Sequence, residues 1–240
     1  MSPDQRKHRG PDPNDAGLFA PDQIQLLRRA AYDYCLLLDK TYTPKATLKL
    51  VGDHFKLKER QRKALDRCCQ PQSLINEMQQ REIREPALLK GQPLFIDGFN
   101  LLIILEGALG GAPVFKGRDG LIRDISGLHG SYRKISETPE AIALVASFVK
   151  EFSAGPVLWV FDKPVSNSGR LAQLVMQIGK ENQVNWNTEL CDQADSRIAN
   201  SEHIVASSDS QILARCTRWF NLCGYIMENY IKKKWFIELF

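Results

Sequence analysis

Between Leu94 and Leu109 the chain reads LFIDGFNLLIILEGAL, an almost unbroken apolar run that holds one carboxylate, Asp97, and one amide, Asn100, near its start. An unpaired carboxylate is costly to bury, so the run divides at Asp97 into a short buried strand, Leu94 to Ile96, and a helix that leaves it. The alternation recurs downstream. GPVLWVFD is a second apolar strand, followed by a helix from about Asn167 to Glu181; VNWNTEL is a third; HIVASS is a fourth, followed by a helix from Asp209. Strands alternating with helices predict an α/β domain whose mostly parallel sheet is covered on both faces, a three-layer arrangement. Ligands of such sheets bind beyond the carboxyl ends of the strands, where the strand order reverses.

The preceding residues follow another rule. Residues 1–20 are rich in Pro, Asp and Gly without periodicity and read as a loosely held, flexible arm. From Pro21 apolar residues recur at Ile24, Leu27, Ala31, Tyr34 and Leu38, close to the 3.6-residue period. A second helix starts after Thr43, whose hydroxyl can cap it, with Pro44 in its first turn. A third, KLKERQRKALDRCC, has Leu57, Arg60, Ala64 and Cys68 along one side. The expected organisation is an arm over 1–20, a basic helical domain resembling a helix-turn-helix over 21–90, and an α/β domain over 91–240.

Charge divides along the same line. Residues 1–90 carry 17 Lys and Arg against 12 Asp and Glu, and residues 91–240 carry 15 against 16. Lys56, Lys58, Arg60, Arg62 and Lys63 cluster with Arg67 on the third helix, enough for contacts to a nucleic acid backbone, although a solvated helix has the same look.

In the α/β half, acids stand where the strands end. Asp97 closes the first strand, Asp162 the second, Asp195 with Asp192 opens the helix after the third, and Asp209 follows the fourth. Taken singly, Asp192 and Asp209 read equally as helix caps. Together the carboxylates would raise one another's pKa unless a cation compensates them. Oxygen ligands without His or Cys select Mg²⁺ or Mn²⁺, and such ions serve the hydrolysis of phosphodiesters.

IDGFNLL, VFD and QADSRIANSEHIVASSDSQIL, in this order, resemble the PIN-like nuclease superfamily, and specifically its NYN branch of metal-dependent ribonucleases. The resemblance covers roughly residues 93–215. It implies Asp97, Asp162, Asp195 and Asp209 as metal ligands, Asn100 beside Asp97 in the catalytic set, and RNA as substrate; on this reading Asn100 would orient Asp97 or contact substrate, Asp192 would be an auxiliary acid, and the basic helices would hold the RNA, a ribosome or another ribonucleoprotein. The whole chain, helical module included, is also similar to an uncharacterised prokaryotic family of domains of unknown function, which implies a layout and no activity.

Two further stretches offer cations or free backbone N–H groups. Lys163, Ser166, Asn167, Ser168 and Arg170 form a loop opening a helix, suited either to an anion or to ordinary N-capping. VFKGRDGLIRDISGLHGSYRK reads as a GRDG loop and then a glycine-weakened helix, which would present Arg118, Arg123, His129 and Arg133 to a nucleic acid strand; His129 reads as a general acid or as a structural histidine. The rival functions are a PIN-like nucleic-acid-binding module without turnover, on RNA or DNA, and a metal-dependent phosphatase or nucleotide hydrolase. Six cysteines without CxxC spacing make a zinc site improbable. With neither a secretory signal nor an apolar run long enough to span a membrane, the expected location is the cytoplasm. The closing WFIELF suggests packing or homo-oligomer formation.

Overall fold

The computed structural model describes residues 8–126 and 132–240. A single-turn helix α1 (Asp15–Leu18) leads into α2 (Pro21–Asp39), α3 (Pro44–His54), α4 (Glu59–Cys68) and α5 (Gln72–Gln79). Pro21 and Pro44 stand in the first turns of their helices, where the missing N–H would have had no partner anyway. Thr43 precedes α3, but its hydroxyl makes no capping bond. The apolar stripe of α2, with Leu27, Ala31, Tyr34 and Leu38, packs on Val51, Leu57, Ala64, Leu65 and Cys68.

Next come β1 (Glu82–Ile83), a 3₁₀ turn over Pro86–Leu89, β2 (Leu94–Asp97), α6 (Gly98–Leu109), β3 (Pro113–Lys116), β4 (Ile122–Arg123) and α7 (Thr138–Phe152). The chain ends with β5 (Val157–Asp162), α8 (Ser168–Glu181), β6 (Trp186–Cys191), α9 (Ala194–Ala199), β7 (Ile204–Ala206), α10 (Ser210–Leu213), β8 (Arg218–Phe220), α11 (Leu222–Asn229) and β9 (Trp235–Glu238). The main sheet has six strands in the order β1-β8-β7-β2-β5-β6, and every pairing is parallel. Period-two alternation sends its side chains to two cores. Leu94, Ile96, Trp159, Phe161, Ile204 and Ala206 face α6, α7, α8 and α11. Phe95, Val160 and Val205 face the opposite layer, with Met78 of α5, Ile198 of α9 and Leu213 of α10. The expected three-layer α/β architecture, preceded by helices, is therefore present.

Helix α6 lies deep inside, and its Glu106 is wholly buried. Thr138 donates to Glu106 Oε1 at 2.7 Å, the Tyr132 hydroxyl donates to the same oxygen, and Arg9 Nε bonds Oε2 at 3.0 Å. These partners replace the water that the carboxylate gave up.

A second sheet, ordered β4-β3-β9, closes the helical core. Phe115 of β3, Ile237 of β9 and Leu239 belong to the same apolar cluster as α2 and α4. WFIELF thus packs within the chain. The expected division at residue 90 is crossed in two places: β1 is the edge strand of the main sheet, and α5 lends Met78 to its core. The described part of the expected flexible arm is likewise built in. Asp15 is fully buried and takes a bidentate pair from Arg60, at 2.7 and 2.8 Å, and Phe19 is 2% exposed.

The helix expected within Val114–Lys134 is absent among the described residues, where β4 and irregular backbone stand instead. The glycines serve a turn: Gly120 has φ +79°, and a Cβ at Gly117 would sit 2.5 Å from Arg123 Nη1. No helix among the described residues is long and apolar enough to cross a membrane.

Candidate active site at the switch point of the sheet

From β2 the chain moves outward through β5 to β6, then returns to the other side of β2 with β7 and β8. The order reverses between β2 and β7, so a crevice opens beyond their carboxyl ends. Asp97 leaves β2 and becomes the N-cap of α6, accepting a long bond from Asn100 N at 3.4 Å. Glycine must follow it, because a Cβ at Gly98 would fall 2.2 Å from the Phe161 ring.

The segment after β7 completes the junction. Ser207 donates its hydroxyl to Asp97 Oδ2 at 2.8 Å and accepts from Asp209 N at 3.0 Å, which fixes two acids against each other. Asn100 Oδ1 accepts from Ser208 N at 3.0 Å, so Asn100 ties α6 to the loop after β7. Asp209 caps α10 by accepting from Gln211 N at 2.7 Å. Across the crevice Asp162 Oδ1 accepts from Ala194 N at 3.3 Å, which sets the head of α9, and hence Asp195, beside the end of β5.

The carboxylates sense one another. Burial pushes Asp97 up to about 7, against the pull of the Ser207 hydroxyl, and the charges of Asp195 and Asp209 raise it further. The Asp195 carboxyl is raised as well, by desolvation among its neighbours and by the charges of Asp162 and Asp209, although its side chain reaches solvent. Asp97, Asp162, Asp195 and Asp209 thus share one electrostatic neighbourhood. Asp192 does not join them closely: it is exposed, and Lys163 Nζ stands 3.9 Å from it.

The fit to a divalent cation has two sides. An all-oxygen set of mutually repelling acids suits Mg²⁺ or Mn²⁺. Yet among the described residues no three Asp, Glu, His or Cys side chains converge into a closed coordination set. Mg²⁺ commonly uses only one or two carboxylates and keeps several waters; an all-protein cage for it is not formed among the described residues.

Of the ten expected cations among the described residues, at least five are engaged with other groups of the chain. Arg123 is buried: it forms a bidentate pair with Asp119, at 2.7 and 2.5 Å, and donates to Ser210 Oγ at 2.6 Å. It therefore braces α10 from within and does not face a nucleic acid strand. Arg118 grips Asp39 through two 2.9 Å bonds. Arg60 pairs with Asp15, Arg62 with Asp53 at 2.7 Å, and Lys63 donates to Ser126 O at 3.2 Å. Lys56, Lys58, Arg133, Lys163 and Arg170 are exposed.

In the loop before α8, Asn167 adopts φ 69° and donates its amide to Tyr132 O at 2.8 Å, while Ser168 is buried and donates to Lys163 O at 3.3 Å. Neither Ser166 nor Asn167 caps α8 with its side chain. His129 lies outside the described residues.

Sequence reasoning missed Ser207 and the Asp119–Arg123–Ser210 brace. The run SSDS directly after an apolar strand was a signal, since four polar residues at a strand exit need partners. Two cavities lie away from the acids. One of about 400 Å³ separates β1 and α11 from β9, and one of about 320 Å³ adjoins α2 and the C-terminal residues.

Comparison with known proteins places this geometry in context. Residues 86–225 match the model of a family described as Domain of unknown function (DUF5616), and residues 26–81 match Protein of unknown function (DUF434). The chain is 28% identical over 187 residues to Uncharacterized protein MJ0935 of Methanocaldococcus jannaschii, covering 78% of this chain and 88% of that protein. No solved structure matches.

Proposed function

We propose that this chain, which belongs to the family described as Domain of unknown function (DUF5616), is a metal-dependent ribonuclease with a PIN-like, NYN-type site that hydrolyses RNA phosphodiesters. One observation carries the reading: four acids from separate elements, at or beyond the carboxyl ends of the parallel strands, share one electrostatic neighbourhood, and the most buried of them, Asp97, is held by a hydroxyl and flanked by like charges. A structural acid is ordinarily matched with a cation, whereas a metal ligand is left for one.

Asp97 and Asp209, joined through Ser207, would hold Mg²⁺ or Mn²⁺ on one wall, with Asp162 and Asp195 on the other. When bound, such an ion supplies a water of lowered pKa and neutralises charge on the phosphate. The protein's own residues set the stage. Ser207 and the start of α6 orient Asp97, Asn100 holds the loop after β7 against α6, and exposed Lys163 stands at the rim to attract a polyanion.

The test is cleavage of a mixed-sequence RNA by purified protein with Mn²⁺ or Mg²⁺, beside the Asp97→Asn variant. The expected result is metal-dependent cutting that falls by roughly a thousandfold in the variant. Equal cutting by both proteins, or none by either, would sink the reading. The absence of a closed coordination set among the described residues favours a second reading, a nucleic-acid-binding module without turnover. That reading predicts salt-sensitive RNA binding that persists in the Asp97→Asn variant.

A further inference from the structure

The two edges of the main sheet are finished differently. At one edge β1 has only two residues, and its Glu82 is paired with Arg84 at 3.1 Å. At the other, β6 presents six residues, WNTELC, and among the described residues no strand pairs with its outer side. The bonds to β5 show which groups face out. Asn185 O accepts from Val157 N and Cys191 O from Lys163 N, so the backbone groups of the odd-numbered residues along β6 point at β5. Those of Thr188 and Leu190 therefore point away from the sheet, as does the carbonyl of Trp186, whose N–H turns back to Val184 O at 3.2 Å.

An open edge templates pairing, and sheets guard theirs with prolines, lysines or unmatched charges. Strand β6 carries no Pro or Lys, and its one charge, Glu189, is held by Arg197 of its own chain at 2.9 and 3.2 Å. Exposed apolar side chains flank it instead. Leu190 is 40% exposed and Met176 of α8 is 38% exposed. Met176 stands two turns along α8 from Gly169, where a Cβ would lie 3.9 Å from Leu190 Cδ1.

We propose that this edge pairs with the same edge of a second copy of the chain, antiparallel about a two-fold axis at Thr188, which joins two six-stranded sheets into one. The charges and the outward groups select both the occupant and the register. With the axis at Thr188, the two Thr188 residues exchange a pair of backbone bonds and set threonine against threonine, a favourable cross-strand pair. Leu190 N–H reaches Trp186 O of the second copy, in both directions, and Asn187 stands opposite Glu189, so no like charges face each other. An axis at Glu189 would set two carboxylates directly opposite, and an axis at Asn187 would carry Leu190 past the end of the facing strand. Because the paired strands run in opposite directions, the two acid crevices open at opposite ends of the dimer. The pairing therefore stands apart from the chemistry proposed for the acids.

The experiment measures the mass of the full chain in solution by light scattering over a range of concentrations. The expected result is a dimer at about 100 µM that dissociates on dilution. Thr188→Pro removes an N–H that only the second copy would use, and should weaken the dimer about tenfold with circular dichroism unchanged. Leu190→Lys guards the edge with a charge and should weaken it as well. In this register Asn187 and Glu189 of the two copies stand about 4.5 Å apart at Cα, within reach of a disulfide. Asn187→Cys with Glu189→Cys, in a Cys191→Ser background, should therefore oxidise to a covalent dimer. A monomer at about 100 µM, a dimer that both Thr188→Pro and Leu190→Lys leave intact, or a double-cysteine variant that does not cross-link would overturn the proposal.

Discussion

Among the described residues four carboxylate side chains are deeply buried, and three of them differ from the fourth. Asp15 has Arg60, Glu106 has Arg9, and Asp119 has Arg123, each within hydrogen-bonding distance. Asp97 has a serine hydroxyl, a long backbone bond and other acids for neighbours, with no ion pair among the described residues. Removal from water is tolerable for the three because an arginine returns most of the lost solvation. The fourth stays under electrostatic load, which the proposed role as a ligand for an added cation would relieve.

The largest effect that could break this comparison is on the paired side. Arg123→Met would leave Asp119 buried without its partner and should cost about 3–5 kcal/mol, seen as a lower midpoint in urea. A loss under about 1 kcal/mol would mean that Asp119 finds other compensation.

Asp97→Asn should do the reverse. The Asp97 carboxyl titrates at about 7 when folded, against an ordinary value of 3.8. Between those values the folded protein holds the extra proton, so stability falls as pH rises through the window and the penalty is complete above 7. Without added metal, the Asp97→Asn variant should exceed the unaltered chain in stability by about 4 kcal/mol at pH 8 and by almost nothing at pH 4. Thermal unfolding across that range checks it, and a variant less stable at pH 8 would contradict the picture of a loaded acid.

Ser207→Ala tests whether the hydroxyl orients Asp97 or only fills space. The expected outcome is about a tenfold loss of metal-dependent cleavage with the melting temperature nearly kept. The smallest effect belongs to the helices: Lys56→Glu with Lys58→Glu should weaken RNA binding by only about threefold and lessen its salt dependence slightly. Fluorescence anisotropy at several salt concentrations measures both. A large loss would give the helical face a greater role than its internally paired arginines suggest.

The acids were legible because a parallel sheet reports itself locally. Apolar runs ending in Asp mark strand exits, and in this topology every exit opens on the same side. Asp97, Asp162, Asp195 and Asp209 were therefore named from the sequence, and the structure brings them into one electrostatic neighbourhood. The cations were not legible in this way. Arg60 and Arg123 look like solvent-facing charges in a basic run or a glycine-rich loop, yet each is committed to an acid in the interior. The glycines at 117 and 120 were legible as a loop, but not the form of the turn, which depends on where the Arg123 guanidinium lies.

The sequence by itself determined the strand–helix alternation, the exits of the strands and the identities of the acids gathered there, because these rest on burial and on periodicity over a few residues. Only the tertiary structure decided which charges are matched. Arg60 meets Asp15 across 45 positions, Arg9 meets Glu106 across 97, and Ser207 reaches Asp97 across 110. Such pairings are set by how the layers pack, and no local pattern encodes them.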